Sequence, residues 1–336
     1  MQILQPNQLK VYESFISSAE NSMLYHQLNY IQFAAELLTA EVEVFGIFEG
    51  TNLVAACPWI VKDGEYGKVY NSLAYYGSNG GVICTNPSIK NQFENEMMEQ
   101  IEGRACSIAY ISSTFAENRL QTRPDYFLQE RLAQVSSFPK ITTTAEEDLM
   151  QVCHPKNRGK IRKGLKENIS VKTVSESSFL QNIHQQNMKA IGVEPKSAEF
   201  FEDLPHFFNP GVDYKIYELT IDESLACAIL VFYHKETMVY FTPALAHEFR
   251  NKQPLSALIY TIMVEGMKQG YKYWDWGGTP KSNEDLYKFK KRWGTEDRRY
   301  FYQSKIINSL ILDASSKQLQ SAYPGMFVAP YDALMP

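Results

Sequence analysis

The stretch from Tyr271 to Gly294 reads YKYWDWGGTPKSNEDLYKFKKRWG. Its first part, Tyr271 to Trp276, is short, aromatic and alternating, the pattern of a β-strand. Gly277, Gly278, Thr279 and Pro280 end that strand. Ser282 or Asn283 is placed to cap a helix, with Glu284 and Asp285 in its first turn, where free amides favour negative charge. Leu286, Phe289 and Trp293 follow at the spacing of one buried face. Tyr287, Lys290 and Lys291 fall on the flank, and Gly294 is a stop. A carboxylate, Asp275, thus ends near a strand edge, and Lys290 lies on a helix folding back beside it. Many α+β enzymes bring opposite charges together this way. The plain alternative is an ordinary strand, loop and helix with a basic surface.

The elements before this stretch support a layered α/β unit. Val212 to Ile221 reads as a strand, and Leu225–Tyr233 with Thr237–Pro243 as a hairpin turning at His234, Lys235 and Glu236. Pro254 to Lys268 reads as a helix, with proline in its first turn, Leu255, Leu258, Ile259, Ile262 and Met263 on one face, and Gly270 past its end. Glu296 to Ile307 is expected to close the sheet. Upstream, Thr144 and Glu147 have capping-box spacing, and His154-Pro155 interrupts the helix they begin. Lys156, Arg158, Lys160, Arg162, Lys163 and Lys166 then place six cations in eleven positions. Such runs are commonly solvated helix faces; the functional reading is a patch for a phosphate-bearing substrate. No aromatic residues interleave, which disfavours single-stranded RNA binding by stacking.

The first half repeats this order more loosely. Helices are expected at 8–19 and 29–38, a hairpin over 42–61, a short strand at 69–73, a helix at Pro87–Glu102 and a buried strand at Cys106–Ile111. Tyr75 to Gly81 is a glycine-rich loop without the spacing of a P-loop or dinucleotide fingerprint. Leu128 to Ser136 is mostly polar, and the unit is expected to end near 140. The reading is a structural duplication with domains at 1–145 and 146–336, the second carrying the site.

Composition bounds the rest. The chain has 336 residues, 44% of them hydrophobic, and a net charge of −5. That charge excludes global electrostatic capture of nucleic acid, and DNA is not an expected partner. Cys57, Cys84, Cys106, Cys153 and Cys227 are scattered without metal spacing and read as buried free thiols, fitting a reducing cytoplasm. His184, His234 and His247 form no metal set. Neither a signal peptide nor an apolar run of about 18 residues is present, so the expectation is a cytoplasmic protein without a membrane segment.

The basic stretch Asn157–Lys166, the motif at Tyr273–Gly278 and that at Leu286–Gly294 resemble, in this order, the Fem family (FemA, FemB, FemX). Those are aminoacyl-tRNA-dependent peptidyltransferases that build peptidoglycan cross-bridges in the cell wall. The order hairpin, helix, strand, helix is also that of the acyl-CoA N-acyltransferase (GNAT) fold. The resemblance covers about residues 150–305. It implies an α/β (α+β) protein of two tandem GNAT-like domains, each a mixed, mostly antiparallel sheet flanked by helices. It implies transfer of an acyl or aminoacyl group to an amine, with no metal and no tightly bound cofactor. The donor would be aminoacyl-tRNA or acyl-CoA, and the acceptor a small molecule or cell-wall precursor, with a tRNA acceptor stem as a partner.

Family position places Phe289 and Lys290 at the reaction centre, and Lys290 would stabilise an oxyanion or a leaving phosphate. Asp275 would position the acceptor amine or act as base. Lys156, Arg158, Arg162 and Lys163 would meet phosphates, as would Arg250 and Lys252 in the loop before the 254–268 helix. Tyr240 and Tyr287 are further substrate-binding candidates. That loop, 249–257, contains no glycine, which argues against standard acetyl-CoA binding. The alternatives are a CoA-dependent N-acyltransferase acting on a small amine or amino sugar, and a non-catalytic ligand-binding protein on the same scaffold.

Overall fold

A computed structural model of the chain describes residues 1–73, 80–113, 123–280 and 282–330. Tyr75 to Asn79 of the glycine-rich loop lie outside them. In chain order the elements are β1 (Gln2–Ile3), α1 (Leu9–Ser18), α2 (Leu28–Leu38), β2 (Glu41–Glu49), β3 (Asn52–Lys62), β4 (Lys68–Asn71), β5 (Ile83–Cys84), α3 (Pro87–Glu102), β6 (Ala105–Ile111) and β7 (Phe127–Ser137). Next come α4 (Ala145–Val152), α5 (Pro155–Leu165), β8 (Ile169–Val174), α6 (Ser178–Ala190), α7 (Ala198–Glu202), α8 (Leu204–Phe207), β9 (Tyr214–Ile221), β10 (Ser224–His234) and β11 (Thr237–Leu245). The last are α9 (Pro254–Lys268), β12 (Tyr273–Thr279), α10 (Glu284–Lys291), β13 (Glu296–Ile306), α11 (Leu310–Asp313) and α12 (Ser316–Ala322).

Two compact units result, one of Met1–Arg131 with Arg299–Pro336, the other of Leu132–Arg298. The expected split at 145/146 differs from this packing at two places. β7, read from sequence as polar chain, is a strand, and Leu132 to Ser137 pair with β12 in the second unit. Residues 299–306 of β13, expected to close the second sheet, belong to the first unit, where Tyr302 to Ile306 pair with β6.

The first unit's strands run β1-β2-β3-β4-β6-β13, and the second unit's run β7-β12-β11-β10-β9-β8. The two units share a pattern. β3 pairs antiparallel with β4, and β4 parallel with β6 across α3. Likewise β10 pairs antiparallel with β11, and β11 parallel with β12 across α9. A parallel neighbour needs a crossover, and the amphipathic helix between the strands supplies it while covering one face. In the first unit the C-terminal segment is part of the core: Val328 and Ala329 are buried. Asn71 holds that segment by accepting from Phe327 N at 2.7 Å and donating to Phe327 O at 2.9 Å.

In the second unit α9 fills the core with Leu258, Ile259, Ile262 and Met263 against Tyr217, Leu219, Ile229 and Val231. α5 lies against the start of α9 at Gly164, where a Cβ would stand 2.6 Å from Gln253 O and 2.8 Å from Ala257 Cβ. Backbone cannot yield as a side chain can, so Gly164→Ala is expected to cost about 1–3 kcal/mol. Chemical denaturation would show it as a lower midpoint at unchanged slope.

Candidate active site around Lys290

β11 and β12 pair only over Thr237–Val239 and Tyr273–Asp275, although β11 continues to Leu245 and β12 to Thr279. The strands therefore part after Val239 and Asp275. Tyr240 and Trp276 are the first residues beyond the fork, with ring centroids 5.1 Å apart. Trp274, Trp293 and Phe289 stand 5.7, 5.6 and 5.9 Å from Trp276 and complete an aromatic wall. On the far part of β11, Asn187 of α6 takes the place of a neighbouring strand. Its amide donates to Leu245 O and accepts from Leu245 N, both at 3.0 Å.

Beyond the fork β12 bulges. Asp275 faces Val135 and Gly278 faces Ala133, so three steps on β12 match two on β7. The bulge needs a left-handed residue, and Gly277 supplies it at φ +68°. Asp275 Oδ1 accepts from Gly277 N at 2.8 Å, a local turn that fixes the bulge. Asp275 Oδ2 is buried with no hydrogen-bond partner among the described residues. Burial pushes this carboxyl up, opposed by the Gly277 amide and then by the charges of Lys290 and Arg298.

Asn283 caps α10 by accepting from Leu286 N at 3.0 Å. The helix then turns Lys290 inward. The sequence expectation put Lys290 on the flank and Phe289 on the buried face. Instead Lys290 is 3% exposed, and Phe289 is half-buried. Lys290 Nζ donates to Gly278 O at 2.9 Å, Thr279 Oγ1 at 3.0 Å and, more weakly, Gly277 O at 3.4 Å. Thr279 Oγ1 donates onward to Gln134 Oε1 at 2.9 Å, and Gln134 Nε2 donates to Thr295 Oγ1 at 3.2 Å. The bulge thus turns the Gly277 and Gly278 carbonyls toward the ammonium. Burial pushes Lys290 down to about 8, with Asp275 partly opposing. The hydrogens of this cation meet neutral oxygens only, so its charge is not cancelled by a direct carboxylate contact.

The remaining candidates divide. Tyr240 joins the aromatic wall, and burial pushes its hydroxyl up. Tyr287 faces elsewhere: its hydroxyl donates to Asp297 Oδ2 at 2.8 Å. Arg158 holds the end of α4, with Nε on Cys153 O at 2.8 Å and Nη2 on Gln151 O at 3.2 Å. Lys252 pairs with Glu167 at 3.3 Å and Asp222 at 3.7 Å. Lys156, Arg162 and Lys163 are exposed on α5.

Sequence reasoning did not assemble Lys160, Arg250 and Arg292. The Gly164 contact brings α5 to the start of α9, and His154 N donates to Arg292 O at 2.9 Å, tying α5 to the end of α10. Lys160 lies on α5, Arg250 in the helical turn His247–Lys252 just before α9, and Arg292 just past the end of α10. Burial, then the charges of Arg292 and Arg250, push the Lys160 amine down. No carboxylate pairs with any of the three among the described residues. The α9 N-cap, Gln253, gives no side-chain bond to the amides that follow it.

Residues 157–291 match the acetyltransferase (GNAT) domain family. Over the whole chain the fold is similar to FemX, with a TM-score of 0.69 at 13% identity, covering 93% of this chain and 99% of that one. It is also similar to L-PGS from Bacillus licheniformis, with a TM-score of 0.54 at 11% identity, covering 93% and 95%. A conserved protein of unknown function from Bacteroides thetaiotaomicron gives 0.55 at 10%, covering 91% and 98%. No curated protein matches in sequence. The chain thus has a tandem GNAT-like fold, and the stretch that matches the acetyltransferase (GNAT) domain model lies within its second unit. No helix among the described residues is long and apolar enough to cross a membrane.

Proposed function

We propose that the protein transfers an acyl or aminoacyl group from a phosphate-bearing activated donor to an amine. The observation that carries this reading is the buried Lys290 ammonium held by the β12 bulge just beyond the β11/β12 fork. The amine attacks the donor's carbonyl carbon and negative charge grows on the carbonyl oxygen. Lys290 stabilises that oxyanion, and the aromatic wall of Tyr240, Trp276 and Phe289 excludes water, which strengthens the interaction. As the tetrahedral intermediate collapses, the bond to the leaving oxygen or sulfur breaks and that atom takes up the proton the nitrogen loses. Asp275 acts as a positioning residue, since its carboxylate fixes the bulge that presents the Gly277 and Gly278 carbonyls.

The donor's phosphates fall to Lys160, Arg250 and Arg292, with the exposed Lys156, Arg162 and Lys163 continuing the positive surface along α5. A basic face this long exceeds what one pyrophosphate needs. It favours an aminoacyl-tRNA acceptor stem as donor and a cell-wall precursor as acceptor, as in the Fem resemblance. The parted strands and the uncapped start of α9 favour a second reading, with acyl-CoA as donor and a small amine or amino sugar as acceptor.

Thermal stabilisation separates them. Aminoacyl-tRNA raises the unfolding midpoint under the first reading, acyl-CoA under the second, and neither does so for a non-catalytic binding protein of another ligand. Replacing Lys160 and Arg292 singly with Gln is expected to weaken the effective donor about tenfold each, with a shallower salt dependence. Unchanged affinity in both variants would remove these cations from the site.

A further inference from the structure

The first unit contains a pocket of about 220 Å3 between α3, the segment 123–126 and β13. It lies among residues that the transfer reaction does not use. Its wall holds a neutralised group and a spare one. Glu102 is neutralised: Oε1 accepts from Tyr126 OH at 2.7 Å and Oε2 from Lys305 Nζ at 2.8 Å. Burial pushes that carboxyl up, but these hydrogen bonds and the charges of Lys305 and Arg123 hold it below its ordinary range. The Tyr126 ring also carries Lys305 Nζ at 5.4 Å and the Arg123 guanidinium at 5.9 Å.

Arg123 is the spare cation. Among the described residues its hydrogen bond is from Nη1 to Asn95 Oδ1, at 2.9 Å, which is neutral. Its Nε is buried with no acceptor, and no carboxylate pairs with it among the described residues. A guanidinium has five donors in a rigid fork, and a half-buried one normally finds a carboxylate. Two carboxylates, Glu99 and Asp125, also line the pocket. They are exposed at its edge and have no ion pair among the described residues.

The pocket therefore offers an uncompensated cation on its wall and uncompensated anions at its rim. A bare anion such as phosphate would meet three carboxylates against two cations and be repelled. A molecule carrying both charges would satisfy both ends. The volume is below the roughly 300–1,000 Å3 of drug-sized sites and suits a single amino acid. We propose that this pocket binds a free α-amino acid, its carboxylate on Arg123 and its ammonium toward Glu99 and Asp125. The site is independent of the transfer reading, because it shares no residue with the Lys290 site.

Calorimetric titration of the full chain with the proteinogenic L-amino acids tests this. Each hit is compared with its amide, which lacks the carboxylate, with its N-acetyl derivative, which lacks the ammonium, and with inorganic phosphate. The expected result is one saturable site for at least one amino acid, weakened about tenfold or more by either modification. Arg123→Gln is expected to weaken it as much, Asp125→Asn several-fold, and Lys290→Met not at all. Should Arg123→Gln not fold, the exposed Asp125→Asn and Glu99→Gln variants carry the comparison. The proposal is overturned if no amino acid binds at about 10 mM. It is also overturned if phosphate or the N-acetyl derivative binds as tightly, or if the three pocket variants bind like the unaltered chain.

Discussion

Lys290→Met is expected to fold and to lose amide formation by about a hundredfold to a thousandfold in kcat/KM, the loss typical of removing one donor to a developing oxyanion. Methionine keeps the length and apolar stem of lysine but not its charge. Folding should tolerate the change, because burying the ammonium costs the native state, and Gly277 and Gly278, whose carbonyls it leaves, are only half-buried. The sign of the pH effect follows from the lowered value. With the folded amine near 8 and the ordinary one at 10.5, the unfolded chain binds more protons between these values. Stability of the unaltered chain therefore rises with pH across that window through this group, and Lys290→Met should lack that rise. Denaturant midpoints at pH 7 and pH 10 for both proteins check it. A variant that retains activity, or a group titrating near 10.5, would place Lys290 outside the chemistry.

The second large effect concerns the division of the chain. A fragment of residues 146–336 is expected not to unfold cooperatively, because it lacks Leu132 to Ser137, the strand paired with β12. Without that strand the bulge loses the partner that defines it, and Gln134 no longer receives Thr279. A fragment of 132–298 keeps every strand of the second unit. Circular dichroism during thermal unfolding is expected to show a sharp transition for 132–298 and a broad one for 146–336. The reverse pattern would contradict the division.

Much of this was legible in the sequence. The bounds of α3 and α9 agree with expectation, because proline at the start and an apolar stripe leave little freedom. The start of β12 and the helix α10 follow from alternation and the Asn283 cap, but the glycines expected to end the strand at Trp276 instead continue it as a bulge to Thr279, because β7 still pairs with Gly278 and Thr279. β7 was missed because Gln134 and Ser136 read as solvent-facing. Both are buried because the site uses them: Gln134 serves Thr279 and Thr295, and Ser136 accepts from Trp276 Nε1 at 2.9 Å. Polar residues placed for hydrogen bonding imitate a loop in a pattern of hydropathy.

The sequence reading places Lys290 on the flank of α10, whereas the structure buries it. Its spacing held the signal, since it lies four after Leu286 and three before Trp293, on the same stripe. The grouping of Lys160, Arg250 and Arg292 had no such signal. It arises from the packing of three elements far apart in the chain.

The most direct test is mass-spectrometric detection of amide product. The protein and its Lys290→Met variant would be offered aminoacyl-tRNA and acyl-CoA, each with a nucleotide-linked cell-wall precursor and with simple amines. The expected result is an amide from one of the two donor classes, formed at least about a hundredfold faster by the unaltered chain. Equal rates from the two proteins, or no amide from either donor, would contradict it.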